Sequence, residues 1–219
     1  MKSFIKAFLA PLSALFLASC FNQTVEQPTP PTPVSVIPAE PVFVNPFPAG
    51  THEHFTAEPN YRKTYNVYRN HDLLSAMTTE TSSIRISLAD QRAQLLHEGQ
   101  VAMDYPISTG KSKHPTPTGS FQVLEKIKDK RSNIYGKFLD ANGKVVNSNA
   151  NGLKEKAPPG GRFLGASMPY WMRFTWDGIG HHAGNVPRYP ASHGCIRAKR
   201  GTIPEIYAKV KIGTPVVIE

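Results

Sequence analysis

The segment that ends in Cys195 contains the residues best suited to covalent chemistry. It reads Ser-His-Gly-Cys at residues 192–195, so a thiol directly follows a glycine and lies two positions after His193. Two adjacent histidines, His181 and His182, precede the thiol by fourteen and thirteen positions. The thiolate is the attacking form of cysteine, and a thiol of pKa about 8.5 needs a neighbouring imidazole to lose its proton at neutral pH. These residue types predict nucleophilic acyl transfer by Cys195.

The turn before Cys195 predicts a second catalytic contribution. Gly194 lets the backbone approach a substrate closely, and N–H groups of the Gly194-Cys195 turn can donate to a developing oxyanion. Adjacent side chains on a strand point to opposite faces, so only one of His181 and His182 can meet the thiol. The spacing alone leaves that choice open.

Two other interpretations of Cys195 compete with the nucleophile. A lone cysteine is commonly a buried, inert thiol, although its place between Gly194 and two histidine clusters disfavours this. A zinc site built from His181, His182, His193 and Cys195 uses acceptable ligands. Adjacent histidines on a strand do not converge easily on one ion, and the motif contains no Asp or Glu to act as base. We therefore predict no metal and no cofactor.

Strand patterns surround the motif. Ile84, Ile86 and Leu88 alternate with more polar residues, so the compact domain is predicted to begin at residue 83. Further strands are predicted at residues 94–97, 101–107, 121–124, 172–176 and 214–218. A two-residue turn at Asp177-Gly178 would place the histidine pair on a strand. Residues 127–161 show little periodicity and are predicted to form a long loop or lid.

A helix is predicted after Cys195. Ile203, Ile206 and Val210 recur at helical spacing, and Thr202 with Glu205 fits a capping box. The chain therefore reads as a strand-dominated domain with few helices.

The N-terminus has the pattern of a secretory signal. Lys2 and Lys6 precede a short apolar run at residues 8–17, and the sequence Leu-Ala-Ser-Cys ends it at residues 17–20. This resembles the lipobox of bacterial lipoproteins, which implies lipidation of Cys20 and a durable membrane anchor. Prolines then recur from Pro28 to Pro48, as in a semi-rigid tether. The predicted divisions are residues 1–19 (signal), 20–60 (lipidated cysteine and tether), 61–82 (extension) and 83–219 (catalytic domain).

The net charge and the distribution of basic residues indicate which kinds of partner the protein can bind. The net charge of +9 favours an anionic environment such as membrane head groups or wall carboxylates. The basic residues are scattered rather than forming a stripe interleaved with aromatics, so no nucleic acid is expected. Because Cys20 is the chain's other cysteine and is predicted to be lipidated, Cys195 is expected to be a free thiol. A monomer is expected.

Several sequence blocks resemble the L,D-transpeptidase catalytic domain (YkuD-like) family, whose signature is a histidine, a variable spacer and Ser-His-Gly-Cys. The matching blocks are residues 108–110 (Ser-Thr-Gly), 116–119 (Thr-Pro-Thr-Gly), 168–171 (Met-Pro-Tyr-Trp), 178–184 and 189–197. The resemblance covers about residues 83–219. It implies a mainly β fold, a curved and mostly antiparallel β-sandwich with few short helices and one helix beside the catalytic loop.

The resemblance also implies residue roles. Cys195 would be the nucleophile, His182 the base, and His193 would line the oxyanion side. The substrate-binding and oxyanion residues would be Gly194, Ser192, Arg197, Ala183 and Tyr170. Ala183 would orient the base through its backbone carbonyl, whereas Tyr170 reads as a groove-wall or core aromatic. The spacer after His182 is short for the family, and Arg197 replaces the asparagine of the commonest motif, where its fork of donors can bind a carboxylate.

By this resemblance the substrate is a peptidoglycan tetrapeptide stem. The thiolate would attack the carbonyl between diaminopimelate and the terminal D-alanine, release D-alanine, and pass the acyl group to an amine in cell-wall cross-linking. Hydrolytic relatives that trim stems, and a non-catalytic wall-binding lipoprotein, are the alternatives. The expected location is the bacterial envelope, lipid-anchored and facing the periplasm, with the outer membrane favoured if the cell has one.

Overall fold

The structure, a computed structural model, describes residues 43–219. Within that range the strands are β1 (Tyr68–Arg69), β2 (Ser82–Ser87), β3 (Arg92–His97), β4 (Gln100–Ser108), β5 (Gly119–Gln122), β6 (Glu125–Leu139), β7 (Val145–Asn151), β8 (Arg162–Arg173), β9 (Gly180–Ala183), β10 (Ile196–Ala198) and β11 (Pro215–Ile218). The helices are α1 (His52–Ala57), α2 (His71–Ala76) and α3 (Ile203–Lys209). The chain is mainly β, as predicted.

The strands pair in the order β5-β11-β2-β3-β4-β10-β9-β8-β6-β7, and β1 pairs separately with β4. Most pairs are antiparallel, but β10 runs parallel to β9 and β11 runs parallel to β2. Strand β4 therefore joins two halves of the sheet, with β3 on one side and β10 on the other. Cys195 directly precedes β10 and therefore lies next to this connection.

Alternation of apolar residues builds the core. Ile84 and Ile86 of β2 are buried, whereas Arg85 between them is exposed, which confirms the predicted strand. Helix α3 packs its buried residues Ile203 and Ile206 into the same core. Among the residues described, no helix combines the length and the apolar character needed to cross a bilayer.

The predicted loop or lid at residues 127–161 is wrong. This region is a long hairpin in which β6 pairs with both β7 and β8. Most side chains of β6 are at least partly exposed on both faces, so the alternation that marks a half-buried strand is missing. Backbone hydrogen bonds to the neighbouring strands form regardless of that polarity.

Two local predictions also need correction. The capping box is wrong, because Thr202 makes no side-chain cap bond and the carboxylate of Glu205 binds Arg69 Nε at 3.0 Å. The turn at Asp177-Gly178 is longer than two residues, since Phe174 and Thr175 both donate backbone N–H groups to the carbonyl of Ile179. Strand β8 accordingly ends at Arg173 rather than continuing to residue 176.

The predicted signal at residues 1–19, Cys20 and residues 20–42 of the predicted tether lie outside the described residues. From residue 43 onward, residues 52–57 of that tether form helix α1 instead of an extended segment. Its N-cap Thr51 accepts a hydrogen bond from the His54 N–H at 3.1 Å, as N-cap residues do. Helix α2 follows, with Asn70 as its N-cap.

Candidate active site

Parallel pairing of two short strands brings the motif histidines to the cysteine. Cys195 directly precedes β10, and β10 pairs with β9 so that Arg197 lies opposite His182. Residues fifteen positions apart in the sequence thus become neighbours across one ladder, and Cys195 lies at its end. The sequence predicted the strand that holds the histidines but not this parallel partner.

Cys195 opens onto a cavity of about 940 Å³. Of the predicted site residues, the cavity is lined by Cys195, His182, His193, Arg197, Ala183 and Ser192. Hairpin residues 132–135 form part of the same wall. This volume lies within the range of about 300 to 1,000 Å³ that is typical of ligand-binding pockets.

His182 is held as a neutral base. It is buried, and its Nδ1 donates to the carbonyl of Ala183 at 2.8 Å, so Nε2 is the unprotonated acceptor. Burial lowers the pKa of His182 to about 4, against the opposing effect of the Ala183 hydrogen bond, and the Arg197 cation lowers it further. The geometry at Ala183 is the one that the family resemblance implies.

The other histidine of the pair, His181, points into the protein core. His181 is fully buried, its Nδ1 donates to the Ile196 carbonyl at 3.0 Å, and its Nε2 therefore accepts from the Tyr105 hydroxyl at 3.2 Å. Both ring nitrogens of His181 are occupied, so the structure does not support the alternative zinc site. No cluster of three metal-ligating side chains occurs within residues 43–219.

Cys195 is a partly buried free thiol. Its sulfur donates to the Gly178 carbonyl at 3.5 Å rather than to His182. Burial raises the pKa of the Cys195 thiol, although a backbone hydrogen bond at Gly180 and the cations of Arg197 and Arg173 act in the opposite direction. Thiol and imidazole are consequently both uncharged at neutral pH. Catalytic hydrogen bonds are often formed fully only when substrate is bound.

The loop before Cys195 uses its own polar groups for bracing. Ser192 Oγ accepts from the Gly194 N–H at 3.0 Å and donates to the Cys195 carbonyl at 2.6 Å. The Gly194 N–H is therefore engaged and not available as the predicted oxyanion donor. Gly194 itself has φ +110, a backbone conformation that favours glycine.

Thr116 fixes the orientation of the other N–H group of the turn, that of Cys195. Its hydroxyl donates to the Gly194 carbonyl at 2.7 Å. Because the peptide unit is planar and trans, a pinned Gly194 carbonyl also sets the direction of the Cys195 N–H. In the sequence, Thr116 appears only within a block that resembles the family, and its bond to Gly194 spans 78 residues, which no local pattern reveals.

His193 packs against aromatic rings. Its imidazole stacks on Tyr135 with ring centroids 4.2 Å apart and lies 4.7 Å from His114. Partial burial lowers the pKa of His193, followed by the Lys111 cation, His114 and the Arg197 cation. His193 is thus a neutral group on the cavity wall beside the thiol.

Cations dominate the charge of the cavity lining. The Arg197 side chain passes over Gly184, where an added Cβ would lie 2.9 Å from Arg197 Cδ. Arg173 pairs with Glu125 at 3.1 Å and lies between two indole rings, those of Trp171 and Trp176. The positively charged lining residues are Lys130, Arg173, Arg197 and Arg200. Such a lining suits a substrate that carries carboxylates.

The structure does not bring Tyr170 to the cavity. Tyr170 packs edge-on against Tyr207 of α3, with centroids 5.5 Å apart, and its neighbour Trp171 lines the cavity instead. Arg173 also lines the cavity and was missed by sequence reasoning. The alternation of a strand was the available signal, because Trp171 and Arg173 are two residues apart and share a face.

Part of this chain is similar in sequence or structure to known proteins. A curated protein, "Probable L,D-transpeptidase 3" of Mycobacterium tuberculosis, is 32% identical over 120 residues, which are 52% of this chain and 38% of that protein. A solved L,D-transpeptidase of Mycobacterium smegmatis is 22% identical, with TM-score 0.47 and coverage of 64% of this chain and 58% of that one. A solved L,D-transpeptidase of Enterococcus faecium is 27% identical, with TM-score 0.46 and coverage of 64% of this chain and 50% of that one.

This chain therefore spans less than two thirds of each of these relatives. A family model matches residues 81–218 of this chain, which include both β9 with its histidines and the loop of Cys195. By that match the chain belongs to the YkuD family, the L,D-transpeptidase catalytic domain.

Proposed function

We propose that this protein is an L,D-transpeptidase that forms a thioester between Cys195 and a peptidoglycan tetrapeptide stem and passes the acyl group to an amine. The observation that carries the proposal is the shared cavity of Cys195 and His182, in which Ala183 fixes the imidazole with Nε2 free to accept a proton. Family membership supports the reaction class. The protein acts as a monomer without a cofactor.

Acylation begins from the neutral pair. As the Cys195 sulfur attacks the carbonyl carbon between diaminopimelate and D-alanine, its proton passes to Nε2 of His182. The negative charge on the substrate oxygen is stabilised by the Cys195 N–H, on the side of the cavity lined by His193. The C–N bond then breaks, and the departing D-alanine amine takes the proton from His182.

Transfer repeats these steps in reverse. An acceptor amine attacks the thioester carbon and gives a proton to His182, the C–S bond breaks, and the proton returns to the sulfur. One new amide forms for each amide broken, so the reaction needs no energy source. Attack by water instead of an amine would give the hydrolytic alternative, a trimmed stem.

The cationic lining supports the choice of substrate. Arg197 and Arg200 make no salt bridge within residues 43–219, whereas Arg173 is already paired with Glu125. A guanidinium can bind a carboxylate with two parallel hydrogen bonds. Arg197 and Arg200 are therefore assigned to the carboxylates of the stem.

The test is incubation of the full-length protein, purified in detergent, with disaccharide-tetrapeptide, followed by mass analysis. We expect a cross-linked dimer that has lost one D-alanine. Cys195→Ser should reduce product formation by about a thousandfold or more, whereas Cys20→Ser should leave it unchanged. Tripeptide alone would establish the hydrolytic alternative. Wall binding without either product would establish a non-catalytic binder.

We also propose that Cys20 is lipidated and anchors the protein in the bacterial envelope, facing the periplasm and favouring the outer membrane. The support is the charged start, the short apolar run and the Leu-Ala-Ser-Cys ending at residues 17–20. Cell fractionation with mass analysis of the N-terminus tests this. We expect a diacylglycerol adduct and membrane association that Cys20→Ser abolishes, and an unmodified Cys20 would contradict it.

A further inference from the structure

A chain of hydrogen bonds supports the Cys195 loop from behind. Gln91 holds Thr109 at two points, since its Oε1 accepts from the Thr109 N–H at 3.0 Å and its Nε2 donates to Thr109 Oγ1 at 2.8 Å. The Thr109 carbonyl accepts from the N–H groups of Ala191 and Ser192 at 2.9 and 3.0 Å. Ser192 in turn braces Cys195 through its hydroxyl. The position of Gln91 is thus transmitted to the nucleophile.

Arg188 fastens the other end of this chain. It lies in the segment that connects His182 to the Cys195 loop, and its Nη1 donates to the Gln91 carbonyl at 2.6 Å. Its Nη2 donates to the Arg62 carbonyl. The backbone of Arg188 has φ +69, a strained conformation for a non-glycine residue that persists only when surrounding contacts enforce it. Arg188 does not line the cavity and so does not reach the substrate.

The segment at residues 61–66 precedes the region matched by the family model. Its backbone carbonyls nevertheless bind two arginine side chains of that region, Arg92 and Arg188. The carbonyls of Tyr61, Thr64 and Asn66 accept from the guanidinium of Arg92. The Arg62 carbonyl accepts from Arg188. Through Arg188, the segment at residues 61–66 is therefore connected to Gln91 and to the hydrogen bonds that support the Cys195 loop.

We propose that Arg188 is a positioning residue for Cys195, tying the loop of the nucleophile to Gln91 and to the N-terminal segment at residues 61–66. It acts through the Gln91-Thr109-Ser192 hydrogen bonds and touches no reacting atom. The inference rests on the proposed function only in treating Cys195 as the nucleophile.

The test compares Arg188→Met and Arg188→Lys in a Cys20→Ser background, where Cys195 is the single thiol. Met keeps the bulk but no donors, and Lys keeps the charge but cannot bridge both carbonyls as a planar fork. Arg85→Ala is the matched control, because Arg85 is exposed on β2. Urea unfolding checks that each variant is folded.

Two readouts are expected to move. In Arg188→Met the loop is released, so kcat for stem transfer falls about tenfold while KM stays within about twofold. The midpoint pH for iodoacetamide alkylation of Cys195 also falls toward the ordinary thiol value, because the sulfur becomes less buried. Arg188→Lys should lie between the parent and Arg188→Met.

If folded Arg188 variants match Arg85→Ala in both readouts, the positioning role is wrong. If Arg188→Met does not fold, Arg188→Lys decides by the same criteria. Alkylation requires no stem peptide, so it tests Arg188 even if the parent shows no transfer and the proposed function fails. Conversely, an active parent whose Arg188 variants keep its alkylation profile and kcat overturns the positioning role alone.

Discussion

Cys195 and His182 are both uncharged at rest because burial favours the neutral form of each group. Burial raises the pKa of the thiol and lowers the pKa of the imidazole to about 4. A thiolate-imidazolium pair would require the opposite order of the two values. In the proposed mechanism, proton transfer from sulfur to Nε2 therefore accompanies attack on the substrate instead of preceding it.

This predicts how Cys195 reacts with iodoacetamide in a Cys20→Ser protein. The alkylation rate should keep rising as the pH passes the ordinary thiol pKa of about 8.5, with no plateau at lower pH. His182→Ala should leave that midpoint nearly unchanged while abolishing acyl transfer, since a neutral imidazole does not stabilise a resting thiolate. The urea-unfolded protein provides the reference thiol. A plateau below about pH 7 that disappears in His182→Ala would show an ion pair instead.

At the scale of elements, the β6–β7 hairpin forms a wall of the site. It supplies Tyr135, whose ring stacks on His193 at 4.2 Å. A wall that excludes water favours transfer to an amine over hydrolysis of the thioester. In the proposed reaction, this hairpin would therefore set the balance between cross-linking and trimming.

We expect Tyr135→Ala to raise the ratio of tripeptide to cross-linked dimer by roughly three- to tenfold, because loss of the ring admits water beside the thioester. Tyr135→Phe is the matched control, since it keeps the stacked ring and should keep the parent ratio. Mass analysis of the products measures both. An unchanged ratio in Tyr135→Ala would remove the hairpin from the control of water access.

At the scale of the whole molecule, a buried ion pair attaches the N-terminal segment to the sheet. Arg92 and Asp104 are almost fully buried and pair with each other. Asp104 also accepts hydrogen bonds from His52 at 2.9 Å and Tyr61 at 2.8 Å. Burial alone would raise the pKa of Asp104, but the His52 hydrogen bond and the charge of Arg92 outweigh it, so the pKa lies below the ordinary value.

Asp104→Asn should lower the free energy of unfolding by about 3 to 5 kcal/mol, because it leaves the Arg92 charge buried without a counter-ion. Arg69→Ala, which breaks the more exposed pair with Glu205, should cost about 0 to 1 kcal/mol. Urea unfolding at neutral pH measures both. Equal losses of unfolding free energy in the two variants would contradict the larger contribution assigned to the buried pair of Asp104 and Arg92.

The same loss depends on pH with a defined sign. Because the pKa of Asp104 is lowered in the folded protein, its carboxylate contributes stability above the ordinary value near 3.8, and that stability disappears as the pH falls through the lower folded value. The difference between the parent and Asp104→Asn should therefore shrink below about pH 4. A difference that grows in acid would contradict it.

Local patterns in the sequence predicted the proposed chemistry and several elements. Ser-His-Gly-Cys with the preceding histidines predicted an acyl-transfer site, the alternation at Ile84 and Ile86 predicted β2, and helical spacing around Ile203 predicted α3. These features depend on residues close together in the chain, where side-chain periodicity directly reflects which face is buried.

Only the tertiary structure showed that His182, the histidine implied by the family resemblance, is the one that lines the cavity, that the Gly194 N–H is already engaged, and that residues 125–139 and 145–151 are paired strands. It also separated Tyr170 from the cavity and joined Arg188 to Arg62 across 126 residues. Each of these outcomes depends on hydrogen bonds or packing between distant segments. A partner far along the chain leaves no periodic trace in the local sequence, so such contacts become visible only when the chain is folded.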